Sequence, residues 1–223
     1  MIPTFIGLHG ALGTATQLDA LRSIPGAPEL ITLHLPGHGG TPSDGDFSNQ
    51  LFATAILKKM EEHGIEQADF FGYSMGGYVA LWMAWQYPEK VRSIITLNTK
   101  LDWTPETAAR MAGMFDTEKI TTKTPQMADA LSRAHAPGDW IALAQKTARF
   151  LQQLGHGEAI PKAGFNAIAC PVKILRGESD NVVSETESRL VTDWIPNGSY
   201  AEIAGSKHAI EQVDLAALAV MLR

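Results

Sequence analysis

Residues 72–76 read G-Y-S-M-G and fit the pattern G-x-S-x-G, in which a sharp turn holds one serine between a strand and a helix. An apolar run containing Phe70 and Phe71 precedes the motif, and a nearly all-apolar helical segment, Met75 to Trp85, follows it. The glycines are needed there because the turn is strained and the flanking backbones pass closely. The first N–H groups of the helix and their partial positive charge face the serine. The sequence therefore predicts Ser74 as a nucleophile.

A serine hydroxyl becomes an effective nucleophile only when a neighbouring base takes its proton. Among the seven histidines, His208 is best placed, because it follows the last predicted strand and precedes the terminal helix. A third group must orient the imidazole and stabilise its charged form. Asp180, which follows the fifth predicted strand, is the first candidate. Asp102, just past the fourth strand, is the competitor, and Glu178 is a third possibility.

These residues lie at the ends of short apolar runs that alternate with helical patterns. The predicted strands are Pro3–Leu8, Glu29–Leu33, Ala68–Tyr73, Val91–Leu97, Val172–Leu175 and Ser199–Ile203. The predicted helices beside them are Thr16–Ile24, Asn49–His63, Met75–Trp85 and Ala209–Leu222. Short runs that are apolar on both faces are typical of buried parallel strands. Repeated strand–helix units predict an α/β fold with a parallel sheet covered by helices on both faces.

Residues 101–165 show helical patterns and no convincing strand. We expect this segment to form a small helical cap inserted into a core of residues 1–100 and 166–223. Such an insertion would lie over the carboxyl ends of the strands, where ligands bind in open α/β sheets.

The order of Ser74, Asp180 and His208 along the chain resembles that of the α/β-hydrolase fold serine hydrolases, in the branch of small esterases, thioesterases and C–C bond hydrolases. The sequence L-H-G-A at residues 8–11 resembles the family's strand-end H-G-x. The resemblance implies an oxyanion hole formed by the N–H groups of Ala11 and Met75, with Leu12 as an alternative. It also implies a sheet of about six strands, because the two strands that usually precede H-G-x are missing.

Apolar side chains of residues 101–165 are candidates for a substrate pocket, although ordinary packing is the alternative interpretation. These candidates are Trp103, Met111, Met114, Met127 and Trp140, together with Leu12, the alternative residue for the oxyanion hole. Three basic residues, Lys100, Arg110 and Arg133, could bind a substrate carboxylate, but a solvated surface position is the expectation for them.

Composition excludes several other classes of protein. The chain has 223 residues, and its 18 Lys and Arg against 24 Asp and Glu give a net charge of −6, which argues against binding to nucleic acid or anionic lipid. The single cysteine excludes an internal disulfide and a cysteine-based zinc site. We expect no metal, no cofactor and no membrane span, and a cytoplasmic monomer or small homo-oligomer.

The resemblance implies a hydrolase that cleaves a small-molecule carboxylic ester or thioester through an acyl-enzyme. One alternative uses the same three residues for C–C bond hydrolysis or for a lyase reaction like that of the menaquinone pathway. A non-enzymatic ligand-binding receptor on the same fold is the alternative from another class, since fold alone does not fix function.

Overall fold

The computed structural model describes residues 4–22, 24 and 27–222 of the chain. Pro3, the first residue of the first predicted strand, lies outside them. Within the described residues, the strands are β1 (Thr4–Leu8), β2 (Glu29–Thr32), β3 (Ala68–Tyr73), β4 (Val91–Leu97), β5 (Val172–Gly177) and β6 (Gly198–Ile203). All six are parallel and form one sheet in the order β2-β1-β3-β4-β5-β6. The predicted six-stranded parallel sheet is therefore confirmed.

Five helices belong to the strand–helix units of the sheet. They are α1 (Asp19–Arg22), α2 (Asn49–Glu62), α3 (Met75–Gln86), α9 (Glu185–Trp194) and α10 (Leu215–Met221). Five more lie between β4 and β5: α4 (Pro105–Ala112), α5 (Thr117–Lys123), α6 (Pro125–His135), α7 (Trp140–Gln153) and α8 (Lys162–Asn166). The division of the chain into a core and a separate cap stays a prediction.

Alternate residues of the strands supply two apolar cores, one on each face of the sheet. Phe70 and Ile94 pack into the core that contains α2 and α3, whereas their neighbours Phe71 and Ile95 pack into the core that contains α1 and α10. Successive side chains of a strand point to opposite faces, so a strand that is apolar at consecutive positions must be covered on both sides.

Helix α3 lies unusually close to β1 because it begins in the sharp turn at Ser74. A Cβ atom added at Gly76 would be 2.4 Å from the carbonyl oxygen of Leu8, so this contact tolerates only glycine. The close approach fixes the N-terminus of α3 against the end of β1. No helix within the described residues is long and apolar enough to cross a membrane.

Candidate active site

Ser74 stands at the carboxyl end of β3, in the turn that leads into α3. Its backbone has φ +51° and ψ −116°, a conformation that residues other than glycine rarely adopt. Two hydrogen bonds hold this conformation: the Ser74 N–H donates to the carbonyl of Leu97 at 2.8 Å, and Thr99 Oγ1 donates to the Ser74 carbonyl at 3.1 Å. The strained turn lifts the serine out of the sheet, as in a nucleophile elbow.

The structure brings Ser74, His208 and Asp180 together in a hydrogen-bonded chain. His208 Nε2 is 3.4 Å from Ser74 Oγ, and His208 Nδ1 is 2.8 Å from Asp180 Oδ2. Asp180 Oδ1 accepts the backbone N–H groups of Val182 and Val183 at 2.7 and 3.0 Å. Burial of Asp180 opposes its ionisation, but the hydrogen bonds from His208 and from the two amides outweigh that cost and hold its pKa below the ordinary value.

Asn98, which sequence reasoning missed, joins the loops that carry the histidine and the acid. Its Nδ2 donates to the carbonyls of Lys207 and His208, both at 2.9 Å, and its Oδ1 accepts the N–H of Gly177 at 2.7 Å. Tyr73 adds a third bond to this loop, from its hydroxyl to the His208 carbonyl at 3.1 Å. An asparagine immediately after an apolar strand is the sequence signal that could have identified Asn98.

Arg176 holds the Asp180 loop from within β5. Its guanidinium donates to the carbonyls of Val183 and Asp180, both at 2.8 Å, and forms an ion pair with Glu202 at 2.7 Å. A buried role for Arg176 has a signal in the sequence, because this charged residue directly follows the apolar pair Ile174 and Leu175 in β5. The planar guanidinium with its five donors suits such a multiple contact better than a lysine would.

The turn after β1 brings Ala11 beside Ser74 and Met75 at one cavity. Met75 is the first residue of α3, so its N–H has no acceptor within the helix. Gln17 Oε1 accepts the Gly10 N–H at 3.0 Å and thereby holds this turn from the side. Ala11 and Met75 thus line the same cavity as Ser74, and an oxyanion hole formed by their N–H groups stays a prediction. Gln17, which also lines the cavity, is a further residue that the sequence did not reveal.

A group of buried histidines supports the same turn. His9 Nε2 accepts the Leu35 N–H at 3.1 Å, and His135 of α6 lies between the Gly39 N–H at 2.9 Å and the Leu12 carbonyl at 3.1 Å. Burial lowers the pKa of His9 to about 4 and holds that of His38, whose ring lies 4.8 Å from His9, well below its ordinary value. Within the described residues, no group of His, Cys, Asp or Glu could hold a metal ion.

An apolar cavity of about 180 Å³ opens at Ser74 and His208. Helical residues between β4 and β5 supply much of its wall: Met111, Met114, Phe115, Phe150, Leu151 and Leu154. Trp103 also lines it, so three of the predicted pocket residues (Trp103, Met111 and Met114) lie at the cavity. Tyr78 of α3 and Val182 of the acid loop contribute further apolar surface.

Other predicted pocket residues lie elsewhere, and the structure corrects those expectations. Trp140 is buried at the start of α7, whereas the cavity touches the end of that helix, about 15 Å away at 1.5 Å per residue. Leu12 is buried in the apolar core instead of lining the cavity, and its backbone has a positive φ of +52°. Met127 of α6 is 47% exposed and does not reach the cavity.

The structure also locates the two alternative acids and the three basic candidates, of which Lys100 alone differs from expectation. Asp102 is exposed in an outer groove, and Glu178 binds the Gly205 N–H at 2.8 Å, so neither contacts His208. Arg110 and Arg133 are exposed, as expected. Lys100 contradicts the expectation of a solvated position, because it is 6% exposed, is paired with Glu187 and lines the cavity.

Comparison with known proteins points to one family. The family model for the alpha/beta hydrolase fold matches residues 3–139. The Arabidopsis thaliana protein PHYLLO, chloroplastic, is 30% identical over 101 residues, which cover 41% of this chain but only 6% of that protein. A 2-hydroxymuconate semialdehyde hydrolase from Pseudomonas putida is 24% identical over 187 residues, 77% of this chain and 65% of the relative. The chain thus spans less than two thirds of the length of either relative.

Among solved structures, the enol-lactonase from Burkholderia xenovorans LB400 has the same fold. The superposition has a TM-score of 0.75 with 16% sequence identity and covers 100% of this chain and 91% of the lactonase. The family match extends over more than half of the sequence, and it includes the strand-end turn and the serine motif described above. On this evidence the chain belongs to the α/β-hydrolase fold family of enzymes.

Proposed function

We propose that this protein hydrolyses small carboxylic esters or thioesters through an acyl-enzyme on Ser74. The observation that supports this most strongly is the continuous hydrogen-bonded chain from Ser74 through His208 to Asp180, at the mouth of an apolar cavity. The 3.4 Å separation of Ser74 Oγ from His208 Nε2 is long, but such contacts tighten when substrate binds.

In the proposed reaction, His208 Nε2 takes the Ser74 proton as Oγ attacks the substrate carbonyl. The negative charge on the carbonyl oxygen is stabilised by the N–H groups of Ala11 and Met75. Asp180 keeps the proton of His208 on Nδ1, so that Nε2 remains available as the base. His208 then protonates the departing alcohol or thiol group. A water that His208 deprotonates attacks the acyl carbonyl, the acid leaves, and His208 returns the proton to Ser74 Oγ.

The cavity sets the size of the acyl group. A volume of about 180 Å³ is comparable to that of an apolar cavity of about 150 Å³ that holds one benzene molecule, so a short acyl chain would fit. We therefore propose acyl groups of about four to eight carbons as substrates. The largely apolar wall formed by α4 and α7 would contact the chain.

The first test is labelling with a fluorophosphonate probe followed by intact-mass analysis. We expect one adduct on the wild type and none on Ser74→Ala or His208→Ala, with circular dichroism to show that both variants fold. A panel of p-nitrophenyl esters and acyl thioesters from two to twelve carbons then measures the chain-length preference. A folded wild type without an adduct and without ester turnover would overturn the proposal.

C–C bond hydrolysis is the second candidate, because the relative from Pseudomonas putida is a 2-hydroxymuconate semialdehyde hydrolase. An enzyme of that type would cleave a C–C bond of 2-hydroxymuconate semialdehyde while turning over simple esters slowly or not at all. Assay of both substrate classes on the same protein preparation separates the two candidates. Thermal stabilisation by a ligand with negligible turnover of either class would favour a receptor instead.

A further inference from the structure

Lys100 is an unusual component of an apolar acyl cavity. Apart from His208, it is the one side chain capable of positive charge among the described residues that line this cavity, and it is only 6% exposed. It follows β4 closely, as Ser74 follows β3, so both residues lie at the carboxyl edge of the sheet. Burial of an ammonium group is costly unless partners compensate for its lost hydration.

The partner of Lys100 does not line the cavity. Lys100 Nζ is 2.5 Å from Glu187 Oε2, and Lys100 borders both the cavity and an outer groove, whereas Glu187 borders only the groove. Among the described residues, the cavity is therefore lined by the cation of this pair and not by its anion.

Glu187 does not depend on Lys100 alone for its hydrogen bonds. Its Oε1 accepts the Leu101 N–H at 3.0 Å, and its Oε2 accepts the N–H and the hydroxyl of Ser184 at 3.2 and 3.0 Å. Glu187 and Ser184 form the capping box of α9, so the carboxylate is held by the helix start. Lys100, in contrast, has three N–H donors and makes one hydrogen bond within the described residues.

We propose that Lys100 determines specificity by binding a carboxylate on the acyl part of the substrate, so that the preferred substrates are half-esters or half-thioesters of short dicarboxylic acids. This inference rests on the proposed function of the same cavity. A carboxylate placed there would take up the remaining donors of Lys100 through charge-assisted hydrogen bonds, which are stronger than neutral ones. A neutral acyl chain of equal length would leave those donors unused.

The test compares two esters of equal chain length, p-nitrophenyl hydrogen adipate and p-nitrophenyl hexanoate. We expect the wild type to prefer the adipate ester by about tenfold or more in kcat/KM, as one charge-assisted hydrogen bond would give. The double variant Lys100→Met with Glu187→Gln removes both charges and should lose the preference while still hydrolysing the hexanoate ester. The matched control, Arg149→Met with Asp46→Asn, removes an exposed ion pair and should keep it.

A binding measurement keeps this inference separate from the proposed function. Calorimetry on Ser74→Ala should show the half-ester monomethyl adipate binding at least tenfold more tightly than the neutral ester methyl hexanoate, and the Lys100 and Glu187 changes should abolish the difference. Lys100→Arg, which retains the charge, provides a second variant if the double variant does not fold, and it should keep the preference for adipate. Equal binding and equal turnover of the two ligands by the wild type would overturn the inference, whereas absence of any ester turnover with selective adipate binding would overturn only the proposed reaction.

Discussion

Asp180 illustrates how a single residue gains its role from its contacts. Its two carboxylate oxygens have different partners, since Oδ2 faces His208 Nδ1 and Oδ1 accepts two backbone amides. The amides fix the carboxylate, and the fixed carboxylate orients the imidazole. Asp102 is not placed to orient the imidazole in this way, because it is exposed in the outer groove.

Replacement of Asp180 by Asn should therefore lower kcat by roughly 10³- to 10⁴-fold with little loss of stability. The amide would keep an oxygen for the Val182 and Val183 amides and present its NH₂ to His208 Nδ1, which favours the wrong tautomer of the imidazole. Steady-state ester hydrolysis measures the effect, and Asp102→Asn is the matched control with an expected change of less than twofold. A larger loss in Asp102→Asn than in Asp180→Asn would contradict this assignment.

At the same scale, Gln17 holds the backbone of the turn after β1, where the oxyanion hole is proposed. Replacement by Leu removes the acceptor of the Gly10 N–H, and a lost hydrogen bond of this kind is worth about 1–3 kcal/mol, so kcat should fall about 10- to 100-fold with KM nearly unchanged. Gln50→Leu, which removes exposed hydrogen bonds to Tyr87 and Thr54, should leave kcat at its wild-type value. A rise in KM alone would show that Gln17 binds substrate and does not position the turn.

The residues of the proposed catalytic chain could be predicted because each lies next to a local signal, a G-x-S-x-G turn or a polar residue at a strand end. The residues that support them could not, because the contacts of Asn98 and Gln17 depend on the tertiary path of the chain. The same reason explains the error over Lys100. Its sequence neighbourhood is polar, and only the packing of α9 against the loop after β4 buries it with Glu187.

Among the elements, α3 has a tightly constrained position, because its close contact with β1 fixes its N-terminus beside the Ser74 turn. Gly76→Ala would place a Cβ 2.4 Å from the Leu8 carbonyl oxygen, and we expect a loss of about 3 kcal/mol in the free energy of unfolding together with most of the activity. Gly113→Ala, at a position with no neighbouring atom within 4 Å, is the control and should be neutral. Urea unfolding monitored by circular dichroism, combined with ester assays, measures both changes.

The helices between β4 and β5 show a limit of sequence patterns, which predict that a helix exists but not how it is placed relative to the site. Their existence follows from apolar periodicity and from caps such as Thr104 before Pro105, which the structure confirms. The pattern does not say which end of a helix meets the cavity. Trp140 and Phe150 both belong to the buried face of α7, but only Phe150, about three turns further along, reaches the site.

At the scale of the whole molecule, the buried histidines link stability to pH. His9 has its pKa lowered to about 4 by burial, whereas in the unfolded chain it titrates near 6.5. Between these values the unfolded state binds a proton that the folded state does not, so stability is lost as the pH falls from about 6.5 to about 4. His9 alone would account for about 3 kcal/mol across this range, and the lowered pKa of His38 acts in the same direction.

Urea unfolding at pH 7.5, 6.0 and 5.0 should thus give progressively lower midpoints for the wild type. His9→Gln keeps an acceptor for the Leu35 N–H but does not titrate, so its midpoints should depend less on pH. A wild-type midpoint that stays constant from pH 7.5 to 5.0 would contradict the assignment of neutral buried imidazoles.

The hydrogen bonds of Asn98 have a consequence for folding, because they bear on when the reactive site forms relative to the helices. Ser74 and His208 are 134 residues apart in sequence, and the Asn98 side chain connects the ends of β4 and β5 with the histidine loop. Contacts between such distant segments form late, because closing long loops is slow. During refolding from urea, reactivity of Ser74 toward a fluorophosphonate should therefore return after the helical circular dichroism signal does. Labelling at timed intervals would report when the reactive site forms, as a late step of folding. Simultaneous recovery of both signals would show that the Asn98 contacts form together with the helices.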